Sequence, residues 1–467
     1  MRRAILALGA LVAVALPARA AGQTQPSSAD SALARGVFRE LIEINTTDSL
    51  GNTPRAARAM ARRLLAAGFP AADVQVLVGP DARHGNLVAR YRGNGTGGRP
   101  IVMLAHLDVV PARRADWSVD PFTFLERDGY FYGRGTTDDK VGDAILVADF
   151  IRLRRSGFKP RRDLILVLTG DEETNGSCVQ WLVTKHRALV DGEFALNTDA
   201  GGGVLRDGSR VMFAVQASEK VYATYVLEAT DKGGHSSLPR PADNPIYRLV
   251  PLLQRLAQYN FPVTLNEVSR AFFERSAAIE TGPLADDMRG VLQNPPDSAA
   301  VAHLSAVPFY NSKLRTTCVA TMFEAGHAEN ALPQSARVTV NCRILPGEPA
   351  ADVEATLRRL AADDRIAIRT IYAPVPSPPS PLTRAIMGPI ERLVAEQFPG
   401  VPIVPVMEAG ATDGLFLRNA GIPTYGISAV FEEQNDVRAH GRDERLRVAS
   451  FYDALEFWYR MMRTLAG

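Results

Sequence analysis

Three acidic residues follow a short apolar run in the first half of the chain: Asp171, Glu172 and Glu173 come after the run Leu164–Leu168 and the pair Thr169 and Gly170. The uninterrupted apolar run predicts a strand buried on both faces, as in a parallel sheet covered by helices. Such sheets bind ligands beyond the carboxyl ends of their strands. Because neighbouring residues of an extended chain point to opposite sides, Glu172 and Glu173 can do different jobs, one holding a metal ion and one handling a proton. In isolation, a solvated acidic turn is the simpler interpretation.

A histidine and an aspartate stand at the end of a second apolar run, Pro100–Leu107. His106 and Asp108 are two positions apart, so on an extended chain their side chains face the same side. Asp108 can therefore accept a hydrogen bond from the His106 ring and fix its tautomer, a common arrangement around a metal-bound imidazole. A purely structural histidine is the alternative.

Three further polar residues lie within or beside segments that contain glycine and other small residues: Asp138 in GRGTTDDK, Asp199 in NTDAGGG and His440 in RAHGRDE. A helix cap is an equally simple role for Asp138, because an apolar helix is predicted to follow it. The whole set offers two imidazoles and four or five carboxylates without a thiolate, which suits zinc or another divalent ion. That number is too large for one tetrahedral site. It suits two ions with a bridging carboxylate, as in two-metal sites that hydrolyse amides and phosphates.

The elements that must position these residues alternate between strands and helices, which predicts an α/β fold with a mostly parallel sheet covered by helices. From Glu219 the order becomes β-α-β-β-α-β, typical of a small antiparallel sandwich. The α/β pattern resumes after a Pro-rich linker. Residues 259–314 are polar and helix-prone, and the pattern does not place them. The expected organisation is a signal peptide over 1–20, a catalytic domain over 21–218, an inserted α+β lid over 219–374 and the rest of the catalytic domain over 375–467.

The first twenty residues have the features of a secretory signal peptide: a basic start at Arg2 and Arg3, an apolar stretch over 4–16 and an A-x-A cleavage site at 18–20. The protein is therefore expected to be exported, to the periplasm or to the medium. No second apolar run of about twenty residues follows, so no membrane span is expected in the processed chain.

Charge and cysteine content exclude some classes of protein. Cleavage would remove three of the 53 basic residues and leave 50 against 51 acidic ones, which gives no electrostatic case for binding nucleic acid or anionic membranes. Three cysteines are not a disulfide framework. Cys318 and Cys342 lie symmetrically about Asn330 in two runs that could pair as a hairpin, so a bridge between them is one option, with Cys178 left free.

Nine motifs, in order, resemble those of the M20 metallopeptidases, the group of the glutamate carboxypeptidase, aminoacylase and acetylornithine deacetylase enzymes. One such motif is weak evidence, but nine in order are highly specific. The resemblance runs from about residue 30 to the C-terminus and implies a zinc exopeptidase-like sheet with an inserted lid. The motifs are HLD, GRGTTDDK, GDEE, NTDAGG, GGHSS, ENALP, CRILPG, GATD and AHGRDE.

The resemblance also implies a cofactor and roles. Two Zn²⁺ ions are expected, with Co²⁺ or Mn²⁺ as alternatives, and Glu172 would be the general base that moves a proton from water to the leaving amine. Asp108 would be counted with the catalytic residues, because it orients the His106 ring. The implied ligands are His106 and Asp199 for one ion, Glu173 and His440 for the other, and Asp138 as the bridge.

Residues of the lid and of the GATD motif would bind the substrate. His235 resembles the residue that stabilises the oxyanion, in some relatives across a dimer interface. Asn330 and Arg343 resemble the groups that bind the substrate carboxylate, for which an arginine fork is chemically apt. Gly410 and Thr412 would belong to the same substrate-binding set.

These implications give a dimetal hydrolase that cleaves a peptide bond next to a free α-carboxylate, as a carboxypeptidase does. An N-acyl amino acid amidohydrolase is the alternative, because the stretch 259–314 resembles the larger-lid branch that includes carboxypeptidase S and N-acyl amino acid hydrolases. That stretch leaves open whether the protein is a monomer or a homodimer. An inactive binding protein is a remote third hypothesis, since no ligand or base is missing, and a phosphoesterase would need more than one matched arginine.

Overall fold

The computed structural model describes residues 25–467, so the expected signal peptide lies outside the described residues. The helices are α1 (Ser28–Glu43), α2 (Thr53–Ala66), α3 (Lys140–Arg155), α4 (Ser177–Lys185), α5 (Arg187–Val190), α6 (Pro245–Gln258), α7 (Glu267–Ile279), α8 (Pro283–Gly290), α9 (Ser298–Ser305), α10 (Pro308–Leu314), α11 (Ala350–Ala361), α12 (Arg384–Gln397), α13 (Gly414–Asn419) and α14 (Val448–Ala466). The strands are β1 (Val74–Val78), β2 (Gly85–Tyr91), β3 (Ile101–His106), β4 (Leu125–Arg127), β5 (Tyr130–Tyr132), β6 (Leu164–Thr169), β7 (Phe194–Asn197), β8 (Gly202–Arg206), β9 (Ser209–Glu219), β10 (Val221–Thr230), β11 (Gly234–His235), β12 (Thr317–Ala325), β13 (Ala331–Leu332), β14 (Ser335–Ile344), β15 (Ala367–Tyr372), β16 (Ile403–Glu408), β17 (Thr424–Gly426), β18 (Phe431–Glu433) and β19 (Arg445–Arg447).

A large central sheet has the strand order β1-β2-β6-β3-β7-β17-β9-β8-β18, and β16 pairs with β9. Strands β6, β3, β7 and β17 are parallel neighbours in its middle. Both β3 and β6 are buried along their whole length, as their uninterrupted apolar sequences predict. His106 pairs with Thr169, so the two strands end side by side and the polar residues that follow them lie at one edge. The predicted α/β fold is confirmed.

Helices cover both faces of this sheet. On one face α1, α2, α3, α12 and α14 bury apolar side chains against it in one large core, and α3 is buried on nearly all sides. On the other face α4 and α13 pack through residues such as Leu182 and Leu417. This two-sided cover explains why the middle strands read as continuous apolar runs.

A second, four-stranded antiparallel sheet has the order β12-β14-β10-β15, with α6 and α11 packed on one face. It begins at Val221 and ends at Tyr372, inside the segment 219–374 predicted to be an inserted lid. Only Lys220 separates β9 of the central sheet from β10 of this smaller sheet. Cys318 pairs with Cys342 across β12 and β14, and the two form a disulfide, while Cys178 is free and buried. The bridge that the sequence left open is present.

The segment that the sequence did not place, residues 259–314, contains the helices α7 to α10. Phe272 and Phe273 of α7 pack with Ala214 of β9 and with Val404 and Val406 of β16 in a core of their own. This part of the predicted lid segment is therefore packed on the central sheet. Among residues 25–467, no helix has both the length and the apolar character needed to cross a membrane.

Candidate active site

An imidazole and two carboxylates meet at the carboxyl ends of β3 and β7. His106, the last residue of β3, places its Nε2 3.0 Å from Asp138 Oδ1 and 3.5 Å from Asp199 Oδ1. Asp138 comes from the loop before α3, and Asp199 comes from the loop after β7. Their ligand atoms lie within 4.8 Å of one another, so the three residues can hold a metal ion.

A second group of the same kind shares Asp138 with the first. His440 Nε2 lies 3.0 Å from Asp138 Oδ2 and 3.0 Å from Glu173 Oε2, and these three residues also place ligand atoms within 4.8 Å. His440 has a φ of 62°, a left-handed conformation that non-glycine residues seldom adopt. One carboxylate, Asp138, thus faces one imidazole with each of its oxygens.

The protonation of these groups reflects burial and crowding. Burial opposes a charge on His106, but the carboxylates around it, Asp199 first, raise its pKa well above the usual value. Hydrogen bonds to Asp138 and Glu173 raise the pKa of His440 to about 10. Burial, which would raise the pKa of Asp138, is outweighed by hydrogen bonds from both imidazoles, so that pKa is lowered.

For the carboxylates of Asp199 and Glu172, burial outweighs the other influences and the pKa is raised. Burial raises the pKa of Asp199 to about 7, with a further contribution from the charge of Asp138. Burial, followed by the charge of Asp199, raises the pKa of Glu172 well above its usual value. Several carboxylates are therefore held close together at a free-energy cost that a divalent cation would remove. The nitrogen and oxygen donors also match what zinc prefers, so the residues present fit the expected metal.

Asp108 fixes the backbone of the acidic loop. Its carboxylate accepts the N–H of Glu172 at 3.1 Å and the N–H of Glu173 at 2.9 Å. The His106 Nδ1 lies 3.1 Å from the backbone carbonyl of Asp108 and 3.5 Å from its carboxylate. The sequence predicted that the carboxylate would orient the ring; the carbonyl is the nearer acceptor, and the carboxylate also positions the loop.

Glu444 is a supporting residue that the sequence analysis did not single out. It is fully buried and its carboxylate accepts N–H groups from Gly135 at 3.1 Å, Thr137 at 2.7 Å and Asp138 at 3.3 Å. It also accepts a hydrogen bond from the Arg134 guanidinium at 2.6 Å. One carboxylate therefore fixes the loop that presents the shared Asp138.

Arg134 links that loop to the loop of His440. Besides the ion pair with Glu444, its Nη2 donates to the carbonyl of Gly441 at 2.9 Å. Two of the three loops that supply the second group, those of Asp138 and His440, are thereby tied to one buried ion pair. The only signal in the sequence was that Arg134 and Glu444 belong to the motifs GRGTTDDK and AHGRDE.

Two further aspartates have structural roles. Asp171, the first of the three acidic residues, is buried and accepts the N–H of Cys178 at 2.9 Å, which caps the start of α4. Asp413 is also buried, and its Oδ2 accepts the Thr169 hydroxyl at 2.5 Å. Its charge contributes to the raised pKa of Glu172.

A cavity of about 1080 Å³ opens above the two groups and is bounded by the smaller sheet on its far side. Three of the residues that the sequence analysis assigned to substrate binding line it: Arg343, Gly410 and Thr412. Arg343 donates to the carbonyl of Ala409 at 3.1 Å and lies 4.7 Å over the Tyr222 ring. Burial lowers the pKa of the Arg343 guanidinium. Thr412 donates its hydroxyl to Glu219, so its position on the wall is fixed.

His235 and Asn330 lie next to each other but apart from this cavity. His235 pairs with Ala331 in a ribbon of two short strands, β11 and β13, and Asn330 precedes β13. Both residues are exposed, and the residues that line the cavity do not include them. The structure therefore groups Arg343, Gly410 and Thr412 with the metal-type ligands, and it groups His235 with Asn330 elsewhere.

Imidazoles and carboxylates grouped at strand ends beneath an open cavity define a metal-dependent hydrolase. The model of the peptidase family M20/M25/M40 matches residues 102–464. The chain therefore belongs to this family of hydrolytic enzymes, and the predicted family is confirmed.

Individual relatives match most of the chain in sequence or in fold. The chain is 31% identical over 371 residues to the Xenopus tropicalis N-fatty-acyl-amino acid synthase/hydrolase PM20D1, covering 78% of this chain and 72% of that protein. It is 28% identical over 387 residues to a probable carboxypeptidase S-like 2 of Dictyostelium discoideum, covering 81% and 74%. The solved structure of an M20 family metallo-carboxypeptidase, Sso-CP2 from Sulfolobus solfataricus, matches with a TM-score of 0.69 at 18% identity, over 93% of this chain and 99% of that one.

Proposed function

We propose that the protein is a two-metal amidohydrolase that cleaves the amide bond on the nitrogen of an amino acid with a free α-carboxylate. The observation that carries this proposal is the pair of ligand groups that share Asp138 beneath an open cavity. Two ions joined by one carboxylate form the arrangement that hydrolyses unactivated amides.

Five residues would hold the ions. His106 and Asp199 would bind one ion, Glu173 and His440 the other, and Asp138 both. Zinc suits this donor set, and Co²⁺ or Mn²⁺ could replace it. When bound, the ions would polarise the scissile carbonyl and lower the pKa of the attacking water.

Glu172 is the proposed general base and acid. It lines the cavity beside Asp138 and Asp199, and its backbone is held by Asp108. A carboxylate in this position suits a group that takes a proton from the attacking water and then delivers it to the leaving amine nitrogen. Asp108 would act through Glu172, by fixing where the base stands.

The α-carboxylate of the substrate is assigned to Arg343, whose guanidinium lines the cavity and can bind a carboxylate with two hydrogen bonds. Gly410 and Thr412 would form the adjacent wall. His235 would stabilise the oxyanion, and Asn330 would help to bind the carboxylate. Because neither residue lines the cavity, they would reach the substrate only if the smaller sheet moved, or if a second subunit supplied them. We therefore propose that the lid within 219–374 is the smaller sheet with α6 and α11, and both a monomer and a homodimer are compatible with the site.

N-acyl amino acids and C-terminally free peptides present the same amide and carboxylate to such a site. We place the N-acyl amino acid first, because a relative at 31% identity is named for that class, whereas the carboxypeptidases are 28% and 18% identical. The sequence alone placed the carboxypeptidase first, and it remains the second candidate.

We also propose that the protein is exported, to the periplasm or the medium. The basic and apolar start of the chain and its A-x-A site support export. The disulfide between Cys318 and Cys342 adds support, because such bonds persist in oxidising compartments.

The experiment that tests the proposed reaction measures release of free amino acid from N-acyl amino acids and blocked dipeptides, each with and without its carboxylate esterified. The enzyme is assayed in zinc buffer and after chelation. We expect chelator-sensitive cleavage confined to substrates with a free carboxylate. Cleavage of the esterified substrates would refute the role of Arg343, and cleavage that survives complete removal of metal would refute the two-metal site.

A further inference from the structure

A second cavity, of about 520 Å³, lies on the central sheet beneath the helices of the segment 259–314. Strands β8, β9 and β16 form one wall, and α7, α8 and α10 form the other. Its volume is in the range of small-molecule sites, roughly 300–1,000 Å³. Apolar side chains dominate both walls, among them Val204, Met212, Phe272, Ile279, Met288 and Phe309.

This second cavity adjoins the cavity above the metal-type ligands. Asp199 and Ala200 line the first cavity, and the next residues, Gly201–Val204, line the second. On the opposite side Ala439 and His440 line the first cavity and Val437 lines the second, while Glu408 lines both. The two cavities therefore meet along the loops that supply one ligand to each ligand group.

Four of the five charged residues that line the second cavity are engaged or readily neutral, and the fifth, Glu408, lies where the two cavities meet. Arg206 forms an ion pair with Glu280 at 2.8 Å. The Lys313 ammonium donates to the carbonyl of Met407 and lies 5.2 Å from the Phe309 ring. Burial raises the pKa of Glu432 to about 7, so this carboxyl is easily held in its neutral form. The interior is left suited to an apolar occupant.

We propose that this second cavity binds the acyl chain of the substrate and that the preferred chain is a long aliphatic one. The inference rests on the proposed function. Arg343 lines only the first cavity, so a substrate whose carboxylate binds there and whose carbonyl lies at the ligand groups sends its acyl substituent past Asp199 toward Gly201–Val204. A chain with no polar groups of its own fits this apolar cavity, which helices α7, α8 and α10 close.

The test measures kcat/KM for the acetyl, octanoyl, lauroyl and palmitoyl derivatives of one amino acid, with zinc-loaded full-length enzyme. Each methylene that enters the cavity should raise kcat/KM by at most roughly fourfold. Val204→Trp fills the cavity from β8, so we expect it to abolish this rise while cleavage of the acetyl substrate continues. Val78→Trp, on an exposed position at the opposite edge of the sheet, is the matched control and should keep the rise.

A second variant guards against misfolding of the first. Val437 is 61% exposed at the mouth of the cavity, so Val437→Asp should fold normally. The new charge lies on the path of the chain, and we expect kcat/KM for the lauroyl substrate to fall by about tenfold or more relative to the acetyl substrate.

Two results would overturn the inference while leaving the proposed function intact: an acetyl substrate that is cleaved with no gain from longer chains, or an equal gain in wild type, Val204→Trp and Val437→Asp. If no N-acyl amino acid or blocked dipeptide is cleaved, the proposed function fails. Calorimetric binding of lauric acid then decides about the cavity: binding by wild type and not by Val204→Trp would retain it, and equal or absent binding would refute it.

Discussion

Glu172 and Glu173 are neighbours in the chain and meet different partners. Glu173 lies 3.0 Å from the His440 imidazole, whereas Glu172 lines the cavity next to Asp199. The carboxylate of Asp108 accepts the N–H of both residues, so their side chains diverge from one fixed piece of backbone. A ligand and a proton carrier can thus be held at a constant separation.

Replacing Glu172 by glutamine should remove proton transfer without removing the metal. The amide is nearly the same size as the carboxylate but takes up no proton from water, so we expect kcat to fall by about 10²–10⁴-fold. Metal content by mass spectrometry should not change. Glu324→Gln, on exposed strand β12, is the control with full activity. Substantial turnover by Glu172→Gln, or loss of its metal, would contradict the assignment.

Replacing Glu444 by glutamine should weaken metal binding although Glu444 touches no proposed ligand side chain. The change leaves the buried Arg134 without its counter-charge and perturbs the acceptor of the Thr137 and Asp138 N–H groups. We expect a 10–100-fold loss of metal affinity by analogy with other residues that orient ligands, and a loss of about 3 kcal/mol in the free energy of unfolding.

Titration of the apo protein with Zn²⁺ and urea unfolding would measure both effects. Glu354→Gln breaks an exposed Glu–Arg pair on α11 and is the matched control, with an expected change below about 1 kcal/mol and no change in metal affinity. Unchanged zinc affinity in Glu444→Gln would show that the buried pair does not position Asp138.

The five residues proposed as metal ligands could be singled out from the sequence because each lies at the end of a strand or in a motif with recognisable chemistry, and the structure brings them together. Supporting residues were harder to find. Arg134 and Glu444 are 310 positions apart, and Glu444 acts mainly on backbone N–H groups, which leave no mark on the sequence. His235 and Asn330 show the reverse case: their motifs are recognisable, yet the fold places them away from the ligand groups.

At the level of elements, the disulfide joins the edge strand β12 to the interior strand β14 of the smaller sheet. It closes a loop over a separation of 24 residues. Removing it in a Cys318→Ala, Cys342→Ala double variant should lower the stability of this sheet by about 3 kcal/mol, mainly because the unfolded chain gains freedom.

The midpoint of urea unfolding, followed by a probe in the smaller sheet, would measure this loss. Wild type in the presence of a reductant should reproduce the result of the double variant, and the variant itself should not respond to the reductant. An unchanged midpoint would mean that the ladder between β12 and β14 alone determines the stability of the sheet.

The apolar strands β3 and β6 were predicted to within one residue at each end, whereas the sequence analysis did not predict the hairpin β8–β9. Its first strand begins within three glycines, a composition typical of loops. The structure requires glycine there: Gly201 has a φ of 70°, and a Cβ on it would lie 2.4 Å from the carbonyl of Gly426. The three-residue strands β4, β5 and β19 were too short to give any period, and the placement of α7 depends on the core it forms with β9 and β16.

At the scale of the whole molecule, Lys220 makes stability depend on pH. It is buried and donates to the carbonyl of Arg315 at 2.7 Å. Burial, followed by the charges of Lys313 and Arg343, lowers its pKa to about 7. The unfolded chain keeps the Lys220 proton up to about pH 10.4, whereas the folded chain loses it above about pH 7. The unfolded state thus binds more protons between these values, and stability rises with pH across this window.

Lys220→Met should remove that contribution. The difference in unfolding free energy between the variant and wild type should favour the variant most below pH 7 and shrink steadily toward pH 10. Urea unfolding at a series of pH values measures this difference, which cancels the titration of all other groups. A difference that does not vary with pH would show that Lys220 titrates normally in the folded protein.

Lys220 is also the only residue between β9 of the central sheet and β10 of the smaller sheet, and the chain passes between the two parts again on either side of α7–α10 and after β15. The chain leaves β15 at Tyr372, opposite Thr224, and enters β12 at Thr317, opposite Arg343, so these connections lie at the same end of the smaller sheet as Lys220. Rotation of the smaller sheet about that end is therefore the movement that these connections would permit. Because the ten residues of β10 reach roughly 33 Å, a turn of about ten degrees at Lys220 would sweep the far end, with His235 and Asn330, through about 6 Å. Arg343, opposite Tyr222 near the pivot, would move by only about 1 Å, so a substrate carboxylate could stay bound while the far end swings.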